Sequence, residues 1–336
     1  MGIGGAAGGG EAGNSGVRDF RFSFNILGIT TRQAFIHTCR EGERHGYNTV
    51  FAADHLGMPA PFPLLVAAAE ATELMRVGIL VLNAAFWNPA LLAREVATTD
   101  ILTDGRLEVG LGAGHMKWEF DAAGIGWESF GARAERLGRT VAELGRFFRT
   151  DLDNLPASRS APKPVQRRGF GGTGPPLLVG GTGDRILRIA GEQADIVGVA
   201  GAYQIKGQPP GTFRVGRAAE TDERIRFARD CAGARADQIE WHLLVQSVIV
   251  TDDRRAAAEG IFSDHRRWAA ERNVTDPAAL LSVDEVLETP FCLIGTVAEI
   301  AGQLRASRER WGFSYITVHE PFMPMLGPVI EHLRAG

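Results

Sequence analysis

The stretch that most constrains this chain is Met75–Gly114, MRVGILVLNAAFWNPALLAREVATTDILTDGRLEVGLGAG. Two apolar runs, Val77–Leu82 and Leu107–Leu111, each have the length of a buried strand. Between them, Pro89–Leu102 places Leu91, Leu92, Val96, Ile101 and Leu102 at helical spacing. Asn88 caps that helix by accepting from orphan amides, and Pro89 at the first helical position gives up no hydrogen bond. Asp104-Gly105 turns the chain out of the helix. Strand, loop, helix, turn, strand is a βαβ unit of a parallel sheet. The loop Asn83–Asn88 leaves the carboxyl end of a buried strand, where parallel α/β folds place their chemistry.

The rest of the chain repeats that unit. Further strands are predicted at Phe20–Ile26, Asn48–Ala53, Pro176–Val179, Ala194–Ala200, Glu240–Val250 and Phe313–Val318. Helices are predicted at Thr31–His45, Leu64–Leu74, Ala132–Arg149, Asp184–Glu192, Ala218–Arg235 and Val297–Trp311, with Phe322–Leu333 closing the chain. Met116–Phe130 reads as an irregular aromatic loop, Asp151–Gly174 as a surface connection and Tyr203–Arg217 as a Pro/Gly loop. Arg254–Arg272 and Pro277–Glu288 look helical and exceed what one barrel helix needs. The expected fold is α/β, a single (β/α)8 TIM barrel with an insertion after the seventh strand. A doubly wound sheet is the alternative. The glycine-rich start, MGIGGAAGGGEAGNSG, reads as a disordered tail, so residues 1–18 are set apart from a barrel domain at 19–336.

Composition removes several classes of function. A net charge of −4 supplies no general basic footprint for nucleic acid. No apolar run reaches the length of a membrane span. Cys39, Cys231 and Cys292 lie far apart, and an odd number cannot all pair internally, so a reducing cytoplasm fits best. No two of the eight histidines have metal-ligand spacing, and neither a Walker loop nor a Gly-x-Ser-x-Gly elbow is present.

What remains gathers at strand ends. His55 follows Asp54 just past the second strand, and His115 just past the fourth; both have the right chemistry for proton transfer near neutrality. His242, inside a strand, reads as structural, and His37, His45, His265 and His332 as surface groups on helices. Gly110-x-Gly-x-Gly114 and Gly180-Gly181-Thr182-Gly183 both follow strands, yet neither completes the dinucleotide fingerprint. Consecutive glycine amides at a helix start suit an anion, which favours Gly180–Gly183 as a phosphate loop. Gly110–Gly114 instead lets a strand pack closely. Phe86, Trp87 and Trp118 lie in loops and are expected to wall a substrate pocket. On this view Gly181→Val is expected to weaken cofactor binding with the fold intact.

These segments together resemble the luciferase-like flavin and deazaflavin oxidoreductases. The resemblance rests on Glu41–His55, on the run from Asn88 to Leu107, on Glu108-Val-Gly-Leu-Gly-Ala-Gly114 and on Pro176-Leu-Leu-Val-Gly-Gly-Thr-Gly183, and it extends from about Phe20 to the C-terminus. It looks most like the branch that uses coenzyme F-420, with FMN as the alternative cofactor. It implies a ring across the barrel's carboxyl mouth, His55 with Asp54 as the catalytic pair, and a non-proline cis peptide around Ile79–Asn83 behind the ring. Asn83, Ala84, Gly114, His115 and Gly180–Gly183 are implied as cofactor contacts, with no metal. Hydride transfer between reduced F-420 and a small organic substrate is the implied reaction. A monooxygenase fed with FMNH2 by a separate reductase is the alternative, and the implied assembly is a homodimer. Where sugar-phosphate dehydrogenases of the family carry an acid after the strand-four glycines, this chain has His115.

Overall fold

The structure, a computed structural model, describes residues 18–149 and 174–335; the expected tail, apart from Arg18, and the connection Asp151–Gly174, apart from its last residue, lie outside them. The chain runs through β1 (Arg21–Ile26), α1 (Arg32–Arg44), β2 (Thr49–Ala52), α2 (Pro61–Ala71) and β3 (Arg76–Asn83). Next come α3 (Pro89–Leu102), β4 (Leu107–Gly112), α4 (Lys117–Ala123), α5 (Phe130–Arg149) and β5 (Leu177–Gly180). Then follow α6 (Asp184–Gln193), β6 (Ile196–Val199), β7 (Ala202–Gln204), β8 (Phe213–Val215) and α7 (Ala218–Ala232). The last part holds β9 (Glu240–Leu244), β10 (Ser247–Val250), α8 (Arg254–Glu271), α9 (Val283–Glu288), β11 (Cys292–Gly295), α10 (Val297–Trp311), β12 (Phe313–His319) and α11 (Met323–Ala335). Eight of the strands close a parallel barrel in the order β1-β12-β9-β6-β5-β4-β3-β2. This is the expected (β/α)8 barrel.

Alternation along the strands sorts side chains into two shells. Outward residues such as Phe22, Phe24, Val50, Val77, Val109 and Val179 pack under the helices in the main core. Inward residues fill the barrel in layers. At the amino end Arg21 is ion-paired with Glu108 and lies 2.6 Å from Glu240, Arg76 lies 2.5 Å from Glu108, and the Tyr315 hydroxyl donates to Glu108 at 3.0 Å. Burial alone would raise the Glu108 carboxyl's pKa, but Arg21 and Arg76 overcome it and hold that pKa low. Phe51, Leu178, Ile196 and Tyr315 pack above, alongside a buried hydrogen-bonded chain from Ser23 through Thr317 to His242. The layer nearest the carboxyl end has small residues at Gly112, Gly180 and Gly198, over which Val81, Leu178 and His242 pack.

The elements depart from the expected ones where tertiary contacts decide. Glu240–Val250 is not one strand. After β9 the Val245 amide still donates to Thr317, but the Gln246 amide turns to Phe291, and β10 leaves the barrel to pair with β11, which was not foreseen. With α8 and α9 these two strands form the insertion, around its own small core of Ala258, Leu281, Val286, Cys292 and Ile294. Met116–Phe130 is not wholly irregular, because it contains α4, ended by Gly124 at φ +67°. The Tyr203–Arg217 loop contains the antiparallel pair β7–β8. The helix expected at Leu64–Leu74 starts earlier, with prolines in its first turn, and stops at Ala71. Among the described residues no helix is long and apolar enough to cross a membrane.

Candidate active site

His55 leaves β2 at the barrel mouth with its side chain 29% exposed. Its Nδ1 lies 2.8 Å from Oε1 of Glu119, a carboxylate only 2% exposed, which also accepts from the Leu56 amide at 3.2 Å. Nε2 of His55 has no hydrogen-bond partner among the described residues. The His115 ring stands edge-on to His55 at 5.5 Å and to Phe213 of β8 at 5.2 Å. Desolvation, and then the neighbouring His55 and Arg133, push the pKa of His115 down. The ring keeps an edge in solvent, which moderates the shift, and it is neutral at pH 7.

Glu119 was not anticipated from the sequence, and the reason is local. It lies on α4, which opens the stretch read as a loop, and the aromatic side chains there do structural work. Phe86 packs on Phe120 at 5.2 Å, Phe120 on Trp127 at 4.9 Å, and the Arg133 guanidinium covers Trp127 at 3.7 Å. That stack seats α4, and α4 delivers Glu119 to His55. Trp87 does not wall the mouth either: it packs against Phe62 at 5.3 Å and donates its indole N–H to Asp54 Oδ2 at 3.1 Å. Trp118 is 53% exposed at the rim.

Asp54, expected as the catalytic partner of His55, bonds elsewhere, to the Trp87 indole. The same Oδ2 also accepts from the Asn83 amide at 3.1 Å, so the carboxylate clamps the exits of β2 and β3 together. Asn83 accepts from the Ala85 amide through Oδ1, and its buried Nδ2 has no partner. Gly114, at φ +74°, makes room for that amide: a Cβ there would lie 2.5 Å from Asn83 Oδ1. Ala84 is fully buried in the main core and presents no side chain to the mouth. The peptide Leu80–Val81 is cis, within the stretch where one was expected. Both of its side chains are partly exposed and pack on the interior cluster.

The glycine loop is partly occupied. The Gly181 amide donates to Gly198 O at 3.1 Å, and the Thr182 hydroxyl to Ala202 O at 3.3 Å. A Cβ on Gly181 would lie 2.6 Å from Ile186 Cγ2, so the expected harmless Gly181→Val is excluded by packing. Gly183 caps α6 without a side-chain cap, which leaves the first amides of that helix open towards the mouth. Arg185 runs towards Gly131 at the start of α5. Two mouth residues escaped the sequence reading. Asn25 shares the inward face of β1 with Arg21 and Ser23, and His319, its register partner, ends β12 one residue beyond the expected strand. Asn25 Oδ1 and His319 Nδ1 are both buried without partners. Period-two alternation through FRFSFNI and past Thr317 was the signal for both.

Residues 30–315 match the family described as luciferase-like monooxygenase. The chain belongs to that family. Among its relatives is the F-420-dependent glucose-6-phosphate dehydrogenase of Nakamurella multipartita, 27% identical over 252 residues, 68% of this chain and 66% of that protein. Another is the oxygenase component of a flavin-dependent trigonelline monooxygenase of Acinetobacter baylyi, 29% identical over 143 residues, 39% of each chain. The matches thus span less than two thirds of either relative. Solved structures share the luciferase-like barrel. An F-420-dependent secondary alcohol dehydrogenase in complex with an F-420–acetone adduct has a TM-score of 0.67 at 17% identity, covering 94% of this chain and all of that one. A long-chain alkane monooxygenase has a TM-score of 0.68 at 13% identity, covering 95% and 92%. Homologues of this luciferase-like chain are thus F-420- or flavin-dependent oxidoreductases.

The luciferase-like mouth fits a flat heterocycle with hydrogen-bonding edges. Glycines line it at Gly112, Gly180 and Gly198, and Asn25, Asn83, His242 and His319 hold buried polar atoms without partners around it among the described residues. Orphaned buried groups of this kind cost stability unless a ligand or water completes them.

Proposed function

We propose that this enzyme moves a hydride between the deazaflavin coenzyme F-420 and a small organic substrate, with His55 handling the accompanying proton. The observation that carries the reading is the His55 imidazole itself: held at Nδ1 by a buried carboxylate, and with Nε2 unbonded among the described residues at the barrel mouth. When bound, the deazaflavin supplies two electrons as a hydride. The chain's own residues do the rest. Leu80 and Val81 would back the ring and the first amides of α6 would hold the cofactor phosphate, while Asp54 keeps β3 in place through Asn83. His115 stays neutral beside His55 and adds no competing positive charge. The match to the F-420-dependent relative runs over more of this chain than the match to the flavin-dependent one, which supports the deazaflavin. Because His115 stands where sugar-phosphate enzymes carry an acid, a sugar phosphate is not assigned as substrate.

The second reading is an FMNH2-dependent monooxygenase supplied by a separate reductase, and the trigonelline monooxygenase relative supports it. Oxygen chemistry needs a dry, shielded pocket. Trp87, expected as a pocket wall, is turned into the core and Trp118 lies open at the rim, so neither shields such a pocket. A homodimer is proposed for either reading. An oxygen electrode separates the two: the deazaflavin reading predicts no oxygen uptake beyond that of free FMNH2, and stimulated uptake in the presence of the protein would overturn it.

A further inference from the structure

Glu119 belongs to no expected motif, yet among the described residues it is the one carboxylate in contact with His55. It is 2% exposed, and a single oxygen, Oε1, meets both His55 Nδ1 at 2.8 Å and the Leu56 amide at 3.2 Å. The same Oε1 already accepts from the Leu56 amide and so acts as an acceptor, which assigns the hydrogen in the short contact to His55 Nδ1. We propose that Glu119 is the positioning residue of this site: it fixes His55 as the Nδ1–H tautomer and aims Nε2 into the mouth. The proposal rests on the reading that His55 faces the reacting centre. Nε2 is then the only ring nitrogen available there, an acceptor when the ring is neutral and a donor when it is protonated. A carboxylate that orients the imidazole of a general base does the same elsewhere in enzymology.

The surroundings give no competing explanation. Among the described residues the other titratable side chain facing His55 is His115, whose contact is edge-on at 5.5 Å and supplies no hydrogen bond. Asp54, the carboxylate next in sequence, is engaged by the Asn83 amide and the Trp87 indole. The aromatic stack of Phe86, Phe120 and Trp127 holds α4, so the Glu119 backbone is placed without help from its own side chain.

Nitrogen-15 NMR of the histidine rings in the full-length protein, free of cofactor, tests this directly. Wild type is expected to show His55 as a single neutral tautomer with the proton on Nδ1. In Glu119→Ala the same ring is expected to populate both tautomers, while Glu119→Gln, which keeps an acceptor oxygen, restores the Nδ1–H form. A merely structural carboxylate would leave the tautomer unmoved in every variant. A wild-type spectrum with the proton on Nε2 overturns the proposal even if no variant folds, and so does an unchanged His55 signal in folded Glu119→Ala. Because no cofactor is present, failure here leaves the F-420 reading standing, and failure of that reading leaves the tautomer result intact.

Discussion

Replacing Asp54 separates a catalytic carboxylate from a clamp. In the structure its Oδ2 accepts two hydrogen bonds, from the Asn83 amide and the Trp87 indole, each at 3.1 Å, and Asn83 is 5% exposed. A hydrogen bond to a charged group nets about 1.5–3 kcal/mol. Two of them, at a carboxylate that keeps some contact with solvent, make Asp54→Ala roughly 2–4 kcal/mol destabilising. Asp54→Asn keeps an acceptor oxygen and is expected to lose about 1 kcal/mol. Urea unfolding followed by tryptophan fluorescence reads both values, with an unchanged slope showing that the native state is otherwise intact. The alanine variant is also expected to bind cofactor more weakly, since Asp54 secures the exit of β3. Cofactor affinity in the asparagine variant should stay within about threefold of wild type, less than 1 kcal/mol. An alanine variant as stable as wild type refutes the clamp. So does an asparagine variant that is stable but loses turnover by about a hundredfold or more, the mark of a proton-handling group.

Glu108→Ala removes the buried carboxylate shared by Arg21 and Arg76, leaving Arg21 to Glu240 alone, and a loss of about 3–5 kcal/mol is expected in chemical unfolding; a loss under about 1 kcal/mol contradicts the network's role. Because the folded-state pKa of Glu108 is lowered, its contribution is present above the unfolded carboxylate pKa and fades as pH falls through the folded value. His242 is fully buried and its pKa is pushed down to about 3 from an ordinary 6.5, chiefly by desolvation. The unfolded chain therefore takes up a proton first, and stability is lost as pH falls from about 6.5 towards 3. His242→Gln should flatten that limb, and an unchanged pH profile would count against it. Gly181→Ala, forced against Ile186, is expected to cost about 1–3 kcal/mol. Gly183→Ala, whose Cβ would meet Phe130 at an ordinary 3.5 Å, should leave the melting temperature unchanged, and equal losses in the two variants would refute the packing argument.

The barrel was legible because each layer of evidence agreed with the next. In α3 the capping Asn88, the first-turn Pro89 and the apolar spacing fix the same boundaries, and the helix runs over the expected residues. The break after Val245 was not legible, because EWHLLVQSVIV is apolar on both sides of it and only the switch of partners to Phe291 splits it. The site divides the same way. His55 could be read from its place after a strand, whereas Glu119 depends on α4 and on a stack of rings that no local pattern announces. Trp87 misled for a related reason: loop placement suggested a pocket wall, but an indole N–H seeks a buried acceptor, and Asp54 supplies one.

The most direct test of the central claim is a parallel titration of the full-length protein with F-420 and with FMN, followed by fluorescence. Saturable F-420 binding at micromolar concentration is expected, with FMN bound at least tenfold more weakly, a difference of about 1.4 kcal/mol. Micromolar FMN binding with no binding of F-420 would contradict it and hand the site to oxygen chemistry.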